Sequence, residues 1–99
     1  MFSDNEVLTD SERRLWAATI IQALIDATAE PDTPQQKAHK AQADAWFRAS
    51  VGVTAGDFEA VCLAAGFQPD TVRHFYLSYE GDPLTQRRLS QLRDKLLKG

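Results

Sequence analysis

The chain has 99 residues, 43% hydrophobic and 25% charged, which suits one small folded domain and leaves no room for a large buried active site. That balance excludes a disordered chain, no apolar run approaches membrane-spanning length, and a single Cys excludes an internal disulfide. The net charge of −3 counts against a nucleic-acid binder taken whole. It is uneven, however: residues 1–34 carry seven acidic and two basic side chains, net −5, whereas residues 84–99 carry five basic and one acidic, net +4.

Met1 to Leu8 reads as a flexible acidic tail without a basic start or an apolar stretch, so no secretory signal is read there and the cytoplasm is the expected location. Thr9 and Glu12 have capping-box spacing and predict a helix to about Ala29. Its broad apolar stripe (Leu15, Trp16, Ile20, Ala23, Leu24 and Ala27) predicts a central helix with Leu15 and Trp16 in the core. Pro31 and Pro34 break the chain, and Thr33 with Gln36 predicts a second helix over about 34–50. Ala38, Ala41, Ala45 and Ala49 on one side of it suit a close helix approach. Trp46 and Phe47 end it with apolar cover for the helices at 55–79. Lys37, His39, Lys40 and Arg48 read as a solvated face, with a contact to a DNA backbone left open.

After a short joint at 50–56, Thr54 and Asp57 predict a third helix from about Ala55. Val61, Cys62 and Ala65 share one face of it. Gly66 comes next, where a chain leaving a helix favours a left-handed residue, and Phe67 plugs the turn. Gln68 stands at an N-cap position and Pro69 at the first helical position of a fourth helix. Val72, Phe75 and Tyr76 repeat on its inner face, with Arg73, His74 and Leu77 outward and Asp70 near its start as a complement to the helix dipole. Small residue, Gly, apolar plug and apolar helix centre have the order and spacing of a DNA-binding helix-turn-helix over about 55–79. An ordinary helical hairpin has the same needs. Residues 9–82 thus read as one helical domain. Gly81, Asp82 and Pro83 predict a basic C-terminal helix or arm over 83–99, with Leu89, Leu92 and Leu96 on one side. The fold expected is all-α, a small domain of four to five helices.

The pattern Trp46-Phe47, then Asp57-Phe58-x-x-Val61-Cys62-x-x-Ala65-Gly66-x-x-Pro69-x-x-Val72-Arg73, resembles small helix-turn-helix DNA-binding proteins of bacterial prophages and gene transfer agents. The resemblance covers about residues 8–79. It implies either the DNA-binding domain of a transcription activator or a small terminase-type packaging subunit. Double-stranded DNA is the partner implied, with transcription or packaging machinery as a further one; monomer and homo-oligomer stay open. If the fourth helix enters a major groove, Gln68, Thr71, Arg73, His74 and Leu77 are the candidate DNA-binding residues, Arg73 foremost, with Arg87 and Arg88 on phosphate. The competing role for Arg73 is a surface pair with Asp70 or Glu80. A protein-interaction module without DNA binding is the alternative from another class.

No phosphate loop, dinucleotide fingerprint or nucleophile elbow occurs. Cys62 lies on an apolar helix face, and His39 and His74 lack zinc-ligand spacing with it. Neither an enzymatic activity nor a metal or other cofactor is expected.

Overall fold

A computed structural model describes residues 9–91, and these form an all-α fold without any strand. Helix α1 (Asp10–Thr28) begins in a complete capping box: Glu12 N donates to Thr9 Oγ1 at 3.1 Å and Thr9 N donates to Glu12 Oε1 at 2.8 Å. The bond from the Thr9 backbone holds the Glu12 carboxyl below its usual range. Helix α2 (Pro34–Arg48) starts with Pro34 in its first turn, and Thr33 Oγ1 accepts from Gln36 N. The Gln36 side chain reaches Asp32 N rather than Thr33 N, so only half of a capping box forms. Helix α3 spans Gly52–Ala65 and helix α4 spans Pro69–Ser78. A fifth helix, α5, begins at residue 86 and continues to the end of the described residues at 91. The tail at 1–8 and the positions of Leu92 and Leu96 lie outside the described residues.

Two helix starts differ from expectation. Helix α3 begins at Gly52 rather than near Ala55, and its N-cap Val51 offers no side-chain acceptor. Thr54 and Asp57 therefore lie within the first turns instead of forming a cap. Helix α5 does not start at Pro83. Thr85 caps it, with Arg88 N donating to Thr85 Oγ1 at 3.2 Å and Leu89 N to Thr85 O at 2.9 Å. Residues 79–85 instead form a strap across the domain. Leu84 N donates to Thr28 Oγ1 at 3.0 Å, and the Leu84 side chain is buried.

The core runs through Ile20, Leu24, Phe47, Phe58, Cys62, Val72, Leu84 and Leu89, all fully buried. Removing this apolar surface from water is the main favourable term in folding. Phe47 is its hub. Its ring meets Phe58 edge-on at 5.8 Å and stacks on Tyr76 at 4.6 Å, while Trp46 packs edge-on to Phe58 at 5.0 Å.

The inner faces of α1 and α2 are narrower than their apolar stripes. Leu15 and Trp16, expected in the core, are 63% and 37% exposed. Leu15 shares a helix side with Thr19, Gln22 and Asp26, a polar row that stays out of the core. The Ala38, Ala41 and Ala45 row is exposed and receives no helix among the described residues. Helix α2 turns Lys40, Ala43, Asp44 and Phe47 inward instead.

Candidate nucleic-acid interface

The α3–α4 connection is three residues long, and local hydrogen bonds close it completely. Gly66 has φ 85°, the left-handed region that an L side chain enters at a cost. Gly66 N donates to Leu63 O at 3.1 Å and Phe67 N donates to Cys62 O at 2.9 Å. These two bonds are the Schellman pattern, and its usual apolar contact is supplied by Phe67, which is buried in the same cluster as Cys62. Gln68 is the N-cap of α4 by backbone geometry alone, with no side-chain cap bond. Pro69 takes the first turn, and Asp70 lies at the positive end of the helix.

Helix α4 buries Val72 fully and Phe75 and Tyr76 partly. Gln68, Asp70, His74, Leu77 and Ser78 are exposed, and Thr71 is half-buried. Gln68, Thr71, His74 and Leu77 therefore lie at or near the surface.

Arg73 departs from that expectation. Its guanidinium turns back into the fold and occupies the C-terminus of α2. Nε donates to Phe47 O at 3.0 Å and Nη2 donates to Ala49 O at 2.6 Å. The same group lies 4.6 Å from the Phe58 ring centroid. A cation here satisfies carbonyls that the helix leaves without partners and complements the negative end of its dipole. Arg73 pairs with neither Asp70 nor Glu80: among the described residues the one ion pair joins Arg48 and Asp44 at 2.8 Å. The sequence pattern marked Arg73 as an outer residue because helical spacing alone does not say that α2 ends beside it.

Lys40 acts in the same way at the end of α1, where its Nζ donates to Ala27 O at 2.8 Å and Ala29 O at 2.9 Å. Two basic residues considered for DNA are thus engaged within the fold. Arg48 is held beside α4, with its guanidinium 5.8 Å from the Tyr76 ring centroid and its Nε bonded to Asp44. The Tyr76 hydroxyl donates to the same Asp44 carboxylate. Burial, then this hydrogen bond, pushes the Tyr76 phenol up to about 12. Burial alone raises the Asp44 carboxyl, but the Tyr76 and Arg48 bonds outweigh it and hold the group below its usual range.

Arg87 and Arg88 remain exposed on α5. The Arg88 guanidinium lies 6.0 Å from the ring centroid of Tyr79, which caps the end of α4. The structure thereby brings one of the two expected phosphate contacts next to the C-terminal end of the candidate reading helix. Among the described residues, no group of three or more His, Cys, Asp and Glu is placed to hold a metal ion. Burial pushes the Cys62 thiol up to about 12, against the nearby Arg73 charge, which leaves it neutral and a poor nucleophile.

The fold defines a small all-α domain, and no described helix is long and apolar enough to cross a membrane. The chain matches no protein-family model, no curated protein and no solved structure.

Proposed function

We propose that this chain is the DNA-binding domain of a phage-type or gene-transfer-agent transcription regulator, with α3 and α4 acting as a helix-turn-helix. The observation that carries this reading is the closed turn at Gly66, which buries α3 against the core and leaves one side of α4 uncovered. Gln68, Thr71 and His74 would present hydrogen-bonding groups to base edges and Leu77 an apolar contact. Arg87 and Arg88 would meet phosphate. Arg73 has a stabilising role, bonding the carbonyls at the end of α2 rather than DNA.

Among the described residues Arg87 and Arg88 are the exposed arginines at this end, and these two contribute a log–log slope of about −2 to the salt dependence. The test is fluorescence anisotropy on duplex DNA at rising salt. Gln68→Ala and His74→Ala should change preference among sequences. Arg87→Ala and Arg88→Ala should weaken all sequences alike and each reduce the slope by about 1.

A protein-interaction module without DNA binding is the second reading. It is favoured by the occupied Arg73 guanidinium and by Asp70, which leave the exposed side of α4 with no lysine or arginine. No anisotropy change on any duplex at low salt would favour it over the first.

A further inference from the structure

On the side formed by α1, α2 and α3 the domain carries an open groove of about 1130 Å³, to which α4 contributes no residue. Its lining includes both tryptophans of the chain, Trp16 and Trp46, together with Ala23, Ala43 and Val61. Leu15 and Val53 also line it, 63% and 90% exposed. Large apolar side chains left in contact with water along a concave face mark a binding surface rather than a finished core.

Among the described residues the groove is lined by Asp26 and Asp57 and by no lysine or arginine, with His39 as the only other titratable side chain there. Each carboxylate has one neutral donor: Gln22 Nε2 reaches Asp26 at 3.0 Å and Trp46 Nε1 reaches Asp57 at 2.8 Å. A carboxylate accepts several more bonds than one, so both keep capacity for a cation.

We infer that this groove docks an amphipathic α-helix of a partner protein, one with large apolar residues along one face and lysine or arginine flanking them. The apolar row at helical spacing lies on the Trp16, Trp46 and Val61 floor, and the flanking cations meet Asp26 and Asp57. Rigid aromatic side chains at the centre of such a surface lose little entropy when they are covered. The inference does not depend on DNA binding, because the two surfaces share no residue.

The experiment titrates the full chain with a synthetic Leu/Lys amphipathic helix of about 18 residues and with a Leu/Glu helix of the same pattern. The readout is tryptophan emission. The Leu/Lys peptide should shift the emission and bind at least about tenfold more tightly than the Leu/Glu peptide. Leu15→Ser with Val53→Ser, both at exposed positions, should keep the circular dichroism spectrum and weaken binding at least about tenfold. Asp26→Asn should narrow the preference for the basic peptide. An unchanged emission, equal affinity for the two peptides, or full binding by the double variant would overturn the inference. So would concentration-dependent self-association that the double variant abolishes, because the occupant would then be a second copy of the chain.

Discussion

Replacing Arg73 with alanine removes two charge-assisted hydrogen bonds, to Phe47 O and Ala49 O, and a cation over the Phe58 ring. Hydrogen bonds to charged groups contribute about 1.5–3 kcal/mol each, and a cation–π contact about 0.5–1 kcal/mol at a partly exposed site. Arg73 and Ala49 are half-buried, so water can reach the vacated carbonyls and the lower ends of these ranges apply. The expected loss is about 2–4 kcal/mol, a large part of the roughly 5–15 kcal/mol that holds a domain of this size together. At about 4–8 °C per kcal/mol, the midpoint in a thermal melt followed by circular dichroism should fall by about 8–32 °C. Arg73→Lys keeps the charge but not the planar fork, and should lose about half as much. DNA affinity per folded molecule should stay unchanged for Arg73→Ala, measured well below its melting point. A loss of less than about 0.5 kcal/mol, with DNA binding weakened tenfold or more, would refute the capping argument and make Arg73 a reading residue.

Phe58→Ala, at a fully buried site between Phe47 and Trp46, should cost about 3–5 kcal/mol in urea denaturation, and half-buried Phe75→Ala clearly less; equal losses would mean that the burial of α4 is misassigned. Gly66→Ala should cost about 1 kcal/mol from its left-handed φ alone, because the added Cβ meets nothing closer than Arg13 Nη1 at 3.8 Å; a neutral result would mean that the turn relaxes. The depressed Asp44 carboxyl should add stability that is fully present above its ordinary value of about 4 and is lost below it, as pH falls through the lower value of the folded state, and the raised Tyr76 phenol should add stability below pH 10 that is lost as pH rises from there to about 12. Melting points against pH should show both losses, and Asp44→Asn should remove the acid-side contribution and move the alkaline loss to lower pH. Cys62 should react with a thiol reagent only as fast as the fold opens; prompt labelling of the native chain would contradict its burial.

Helix existence and the α3–α4 turn were legible because their determinants are local. The Thr9–Glu12 box, Pro34 and Pro69 in first turns, and the Gly66–Phe67 closure all join groups within five residues of one another, so spacing alone determines them. Even here a local rule failed where a competing partner was near: Gln36 turned to Asp32, and Thr85 rather than Asp82 capped α5. The candidate reading surface was only partly legible. His74 and Leu77 are exposed because they lie opposite Val72 and Phe75 on one short helix, which is a matter of period, and Gln68 is exposed as the residue that starts it.

Arg73 was not legible, because its acceptors are 24 and 26 residues away. Nor was Lys40, whose acceptors belong to the preceding helix, or Leu84, which is anchored through Thr28, 56 residues earlier. The acidic apolar groove had no local signature either. Leu15 and Trp16 belong to a stripe wide enough to be buried all round, and only the positions of α2 and α3 decide which portion of it they cover. By itself the sequence determined four helices, the caps of α1 and α2 at Thr9 and Thr33, and the turn between the last two, since a cap bond needs only neighbours. The tertiary structure alone decided which cations face solvent and which apolar side chains remain uncovered, since both depend on where another helix ends.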